Sequence, residues 1–304
     1  VSIDRGSGST RRPDVGLLRE RASIIRRVRG FFDDLDFVHV ETPCAVPSPG
    51  LDVHLAALEV RGLRAPRWLA TSPEYQMKRL LVAGMPRIYQ IGRAFRADES
   101  GHLHQPEFTM LEWYRAFAGA EDVMRDTEEL VASLGDQRLT APWERLTVAD
   151  AFERHAGIAL DTVLPDEDRF FRMWIDIEPK LGARQPTFVT EWPTSMASLA
   201  RVVTGSRGTL VADRFEAYVN GIELCNGFGE LTDPVEQRRR LEHDQRERAR
   251  LGLPVYPIDE RFLAALEEGM PPSGGNALGL DRLIMLLLGA KDVRDVIAFP
   301  DDHL

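Results

Sequence analysis

Between positions 96 and 108 stand an arginine, two histidines and a phenylalanine: Arg96, His102, His104 and Phe108. An arginine offers a planar fork of donors that suits a phosphate oxygen, and an aromatic face such as Phe108 can stack on a flat base. A second group is acidic. Glu216, Glu223 and Glu230 fall within fifteen residues, and carboxylates are the hard oxygen ligands that suit a divalent cation bridging phosphates. Such acids are often solvent-facing strand positions. Here strand alternation sets Glu216 with Tyr218, and Glu223 with Cys225, so each acid shares a side with a residue that can be buried. A third group is Gly274-Gly275-Asn276-Ala277-Leu278-Gly279-Leu280-Asp281-Arg282. Small residues let the backbone approach a ligand closely, and Arg282 falls in the first turn of a following helix, where orphan N–H groups also favour anions. A Gly-rich turn before a helix is also a common tight connection. No one of the three decides the chemistry alone.

The elements that must position these groups are legible from periodicity and caps. Leu18, Ala22, Ile25, Val28, Phe32 and Leu35 recur at spacings of three and four, which predicts an amphipathic helix starting near Leu17. A strand is expected over 37–41, ending at Thr42-Pro43. Further helices are expected over 73–83, 121–134, 148–155, 166–181, 260–268 and 279–288. Asp233, Pro234 and Glu236 combine an N-cap, a proline at the first helical position and a capping-box acid, so another helix begins there. Asn220-Gly221 tolerates positive φ and suits a tight hairpin turn between strands 215–219 and 222–228. Other strands are expected over 55–60, 87–90, 108–114, 187–190 and 296–299. No regular βαβ alternation runs through the chain, so a largely antiparallel α+β domain is favoured over a doubly wound parallel sheet.

The bulk properties bound the rest. The chain has 304 residues, 43% of them hydrophobic, enough for one large domain with a packed core. Residues 1–15 are rich in Gly, Ser and Arg without a hydrophobic period, and read as a disordered tail ahead of a single domain over 16–304. No run approaches the roughly 18 apolar residues of a membrane span, and the start carries no apolar signal core. The net charge of -10 speaks against a general nucleic-acid-binding surface. Arg238, Arg239, Arg240, Arg246, Arg248 and Arg250 are interleaved with acids and read as a mixed-charge helix face. Cys44 and Cys225 are spaced for neither a disulfide framework nor a metal site and read as small buried fillers of a cytoplasmic protein.

Taken together, the segments resemble the three signature motifs of class II aminoacyl-tRNA synthetases. The helix ending Phe31-Phe32, with its strand and Pro43, is similar to motif 1, the dimer element. Phe95-Arg96-Ala97-Asp98-Glu99 and 106–114 are similar to motif 2 of the lysine-specific branch, and 274–282 to motif 3. Thr71-Ser72-Pro73-Glu74-Tyr75 and the paired segments 214–218 and 221–230 also match that branch. The resemblance covers about 17–300. No anticodon-binding OB domain is expected, which makes the stand-alone elongation factor P lysine ligases the nearest architecture. Ala277 stands where lysyl-tRNA synthetases have glycine and these ligases have alanine.

The resemblance implies ATP and Mg²⁺ as cofactors and a homodimer, with Phe31 and Phe32 supplying apolar area. Arg96 and Arg282 would be catalytic, holding the α- and γ-phosphates. Asp98 would meet the adenine edge, Phe108 its ring and His104 the outer phosphates, with Gly279 also at the nucleotide. Glu216 and Glu223 would hold the metal. Ser72, Glu74, Glu112, Tyr114, Asn226, Glu230 and Ala277 would bind the amino acid, Glu74 at an amino group and Glu230 at the distal ammonium. Lys78 and Arg79 are read as structural. The implied activity is adenylation of (R)-β-lysine or lysine, then transfer to a lysine of elongation factor P, with no tRNA. A synthetase paralogue charging tRNA or another amine, and a silent lysine-sensing paralogue, stay open. Asp98, Gln105, His102 and Gly229 depart from the family pattern of glutamate, asparagine, arginine and a larger residue.

Overall fold

Asp14 opens the first helix: its carboxylate accepts from the backbone N–H of Gly16 and Leu17 and caps α1 (Val15–Asp34), satisfying donors that a helix start leaves orphaned. The computed structural model describes residues 13–303, so most of the tail expected at 1–15 lies outside the described residues. The helix nevertheless begins two residues earlier than its periodicity suggested, because the cap precedes the first apolar position.

After α1 come β1 (Val38–His39), β2 (Ala45–Val46), β3 (Glu59–Val60), β4 (Arg67–Leu69), α2 (Glu74–Val82), β5 (Arg87–Phe95), β6 (Glu107–Ala116), α3 (Ala120–Ser133), β7 (Glu144–Thr147) and α4 (Val148–Ala156). Then follow α5 (Glu167–Ile177), β8 (Thr187–Trp192), β9 (Val202–Thr204), β10 (Leu210–Val219), β11 (Ile222–Gly229), α6 (Pro234–Arg250), α7 (Glu260–Gly269), β12 (Ser273–Gly279) and α8 (Leu280–Leu287). Nine strands form one sheet in the order β1-β5-β6-β12-β11-β10-β8-β7, with β9 paired to β10. Among the described residues, only β1 with β5 and β7 with β8 pair in parallel. The expected antiparallel α+β architecture is the one observed.

Strand alternation gives the sheet two chemically different faces. One transverse row, Leu111-Leu278-Cys225-Ala217-Phe188, is apolar and buried. It packs with Val28 and Phe32 of α1, Val123 and Leu130 of α3, and Leu283 and Ile284 of α8. The neighbouring row, Glu112-Ala277-Asn226-Glu216, is polar and belongs to the opposite face. There α2, α7 and Leu241 of α6 form a second cluster around Tyr75, Phe262 and Tyr114. A third cluster joins α4 and α5 to β8 through Phe152, Phe170, Trp174 and Trp192.

Several expectations need correction. Residues 296–299 are not a strand: a 3-10 turn at Val293–Asp295 precedes them, and Val296 is fully buried in the main core. The stretch 55–60 yields only the short β3: the Leu55 carbonyl is taken by Arg248, and Ala56 makes only an isolated bridge to Ala97. The Gly-rich segment 274–279 is a central strand, β12, rather than a turn. Phe32 is wholly buried against Tyr89, ring centroids 4.7 Å apart, and so supplies no surface for a partner. Cys44 is exposed; Cys225 is buried as expected. No helix among the described residues is long and apolar enough to cross a membrane.

Candidate active site

The polar row of the sheet floors a cavity of about 350 Å³ whose walls include Ser72, Glu74, Arg96, Glu99, His104, Phe108, Arg214, Glu216, Glu223, Asn226, Ala277, Gly279 and Arg282. Two chemically distinct ends meet over Ala277. The register places this residue opposite Glu112 on β6 and opposite Asn226 on β11, and Asn226 opposite Glu216 on β10. The hairpin turn at Asn220 and Gly221 takes positive φ at both residues (52° and 73°), the geometry a two-residue connection between twisted strands requires. A bulge between Ala217 and Tyr218 shifts the register within that hairpin.

One end is rich in arginine. The Arg96 guanidinium lies 5.2 Å from the centroid of the Phe108 ring and pairs with Glu99 at 3.5 Å, while its buried Nε has no partner. Arg282 leaves the first turn of α8 to donate to the backbone carbonyls of Glu223 (2.8 Å) and Leu103 (3.2 Å). It also sits 3.5 Å from the Glu223 carboxylate. Its other nitrogen lies 2.5 Å from His104 Nε2. Arginine has only donors, so that ring nitrogen must accept and His104 must be neutral with its proton on Nδ1. Desolvation, with Arg282 alongside, holds the His104 pKa below its usual value.

Two carboxylates face this end. Glu216 accepts from Arg214 (2.6 Å) and from the Tyr218 hydroxyl (2.5 Å), and burial lifts its pKa to about 7 against the pull of Arg214. Arg214 is itself braced by the Met196 carbonyl and lies 4.5 Å from the Trp192 ring, and its Nε is buried without a partner. Among the described residues no three His, Cys, Asp or Glu side chains are grouped to hold a metal. A pair of carboxylates beside unpartnered arginine nitrogens nonetheless fits Mg²⁺ arriving with a polyphosphate, since that ion is commonly held by one or two carboxylates, water and substrate phosphates.

The other end is acidic and deeply buried. Glu112, 1% exposed, accepts from Ser72 Oγ and Tyr114 Oη, both at 2.7 Å. Glu74 lines the cavity and accepts from Lys78 Nζ at 2.6 Å, and Glu230 receives the same ammonium at 2.5 Å. Burial raises Glu112 to about 7 and Glu230 to about 8. Gly275 makes this packing possible: a Cβ there would come within 2.4 Å of the Glu230 carboxylate and 2.3 Å of the Tyr114 ring.

The structure therefore brings most of the expected residues to one cavity, with two kinds of exception. Asp98 is exposed, at positive φ (66°), and is not part of the cavity wall; the left-handed turn there delivers Glu99 to the wall instead. Glu112, Tyr114 and Glu230 stand behind the wall rather than on it. Glu230 faces Lys78, a residue read as structural from the sequence. Arg214 was also missed, although its spacing of two from Glu216 on one strand was a usable signal. The departure at Gln105 has a structural use, because its side chain accepts from the Asp301 backbone N–H and donates to the His104 carbonyl, pinning the loop.

The family "tRNA synthetases class II (D, K and N)" matches residues 9–303. The chain is 43% identical over 313 aligned positions to the elongation factor P–(R)-β-lysine ligase of Hamiltonella defensa subsp. Acyrthosiphon pisum (strain 5AT), covering 93% of this chain and 94% of that one. It is 42% identical to proteins of the same name from Proteus mirabilis (strain HI4320), covering 93% and 94%, and Salmonella arizonae, covering 94% and 95%.

Proposed function

From the premise that the chain belongs to the class II tRNA synthetase family (D, K and N), we propose that it is an ATP-dependent ligase that activates (R)-β-lysine and passes it to elongation factor P. The observation that carries this reading is the row Glu112-Ala277-Asn226-Glu216, which runs from the buried acidic end, behind the cavity wall at Glu112, to the arginine-rich end of the cavity.

The amino acid lies across Ala277, with its amines toward Ser72, Glu74, Asn226 and the Glu112–Tyr114–Glu230 group, and its carboxylate toward Arg96. The base of ATP stacks on Phe108, beneath the Arg96 guanidinium, with Glu99 rather than Asp98 at its edge. His104 and Arg282 receive the outer phosphates. Glu216 and Glu223 would hold Mg²⁺, which when bound neutralises phosphate charge. The substrate carboxylate oxygen then bonds to the α-phosphorus as the bond to the pyrophosphate oxygen breaks. A lysine amine of the acceptor next attacks the acyl carbon, AMP leaves and the amine gives up a proton. No covalent bond to the enzyme is needed. The residues contribute orientation and fixed positive charge where negative charge builds.

The test is amino-acid-dependent pyrophosphate exchange with each lysine isomer, followed by tracing of labelled amino acid. Label on elongation factor P is expected. Label on tRNA, or no exchange at all, overturns the reading.

A further inference from the structure

Lys78 is the one charged group at the amine end to which the reaction above gives no part. Its side chain is 1% exposed and its Nζ lies between Glu74 Oε1 (2.6 Å) and Glu230 Oε2 (2.5 Å). The Tyr114 and Phe262 rings close over it, with centroids at 5.9 and 6.0 Å. Burial works against its charge, but Glu230 and Glu74 outweigh this and raise its pKa, so it is an ammonium. The charged and titratable groups around it are Glu74 on its own helix, Glu112 and Tyr114 on β6, and Glu230 after β11. Three carboxylates thus share a single resident cation.

We propose that Lys78 is a positioning residue for the substrate amine, a resident ammonium that turns Glu74 and Glu230 toward one point and keeps the cluster able to accept a second ammonium. The inference rests on the amine-end reading given above. Glu230 has both oxygens within the protein and cannot be held in place by solvent. Glu74, which does reach the cavity, is anchored four residues along α2 by the same Nζ. Without that cation, burial and mutual repulsion would drive the carboxylates further toward their neutral forms. Burial pushes Glu112 and Glu230 above the usual carboxylate range, against the pull of Lys78. A second ammonium favours their ionised forms, so diamine binding should release protons.

The test compares Lys78→Met, which keeps the stem, with Lys78→Arg, which keeps the charge. Titration calorimetry with 1,5-diaminopentane in two buffers of different ionisation enthalpy, from pH 6 to 9, reads both Kd and protons released. Lys78→Met is expected to weaken diamine binding at pH 7 by roughly ten- to a hundredfold. It should release more protons and move the pH midpoint up by about one unit. KM for lysine-dependent exchange should rise more than kcat falls, and Lys78→Arg should recover most of the loss. Wild-type affinity and proton count in Lys78→Met overturn the proposal. So does a loss that is equal at every pH and not recovered by Lys78→Arg. Should Lys78→Met fail to fold, Lys78→Met/Glu230→Gln removes the fully buried pair together, so that Glu230 is not left as a buried charge without its cation. It is expected to bind diamine at least about tenfold more weakly than Glu230→Gln alone, and equality of the two overturns the proposal. Absence of exchange in the wild type would strike the functional reading, while the diamine titration would still decide this one.

Discussion

Glu223 meets two demands at once: its carbonyl holds Arg282 and its carboxylate remains partly open to the cavity, 35% exposed. A neutral amide would keep the shape and the backbone contact but make a poor ligand for a hard cation. Glu223→Gln is therefore expected to lower pyrophosphate exchange by roughly 10²-fold or more with the protein still folded; exchange near the wild-type rate would remove the metal role. Ala277 acts by volume instead. Its methyl lies on β12 between Glu112 of β6 and Asn226 of β11, and on the proposed reading one carbon there selects which amine position fits. Ala277→Gly is expected to shift the ratio of kcat/KM toward α-lysine over β-lysine by about 1–3 kcal/mol, or roughly 10- to 200-fold. Unchanged relative kcat/KM for the two isomers would show that the methyl only packs.

The hairpin of β10 and β11 carries both candidate metal ligands, so its turn sets their approach. Gly221 has φ 73°, and a Cβ there would lie 2.7 Å from the Pro179 carbonyl oxygen. Both the backbone strain and the clash with a rigid neighbour act in the same direction. Gly221→Ala is expected to destabilise the protein by about 1–3 kcal/mol, read as a fall in the denaturation midpoint. An unchanged midpoint would mean that the turn relaxes freely. This element was legible beforehand because Asn-Gly is a local signal, and so was α6, whose Asp233 accepts from Val235 and Glu236 N–H. Besides β12, the strands β2, β4, β7 and β9 were not foreseen. They are two to four residues long, too short for alternation to register, and exist because a neighbouring strand is present to pair with them.

Across the whole molecule, burial lifts Glu112 and Asp244 to about 7, Glu230 to about 8 and Asp126 to about 6. For acids with raised folded-state pKa values, the native protein keeps protons that the unfolded chain has already released. Stability from these groups is fully present below the ordinary carboxylate pKa of about 4 and is lost as pH climbs from there through their folded values of about 6 to 8. His39, His104 and His155, all lowered by burial, act oppositely below their usual value of 6.5. Thermal unfolding is expected to show a falling midpoint from pH 6.5 to 8.5, and a diamine should raise that midpoint more at pH 8.5 than at 6.5. A midpoint that rises over this range would contradict the assignment. We also expect a homodimer, built on the sheet edge at β1, where Val38 is 49% exposed, and not on Phe32; a monomer in sedimentation at micromolar concentration would refute it.

Sequence alone determined the identity of the chemistry. Arg96, Phe108, Glu216, Glu223 and Arg282 are residue types whose charge, planarity or hardness is intrinsic, and their order along the chain matches one family. It also determined the long helices, because caps and a period of three to four are local properties. Tertiary structure decided which groups share a space. Asp98 and Glu99 are adjacent acids, and only the left-handed turn at Asp98 selects Glu99 for the wall. Ala277 becomes a floor residue only because β12 is inserted between β6 and β11. From the sequence Lys78 read only as a structural residue. It became a buried cation because Glu230, 152 positions away in the chain, was folded against it at 2.5 Å, and desolvation and charge pairing depend on distance in space rather than along the sequence.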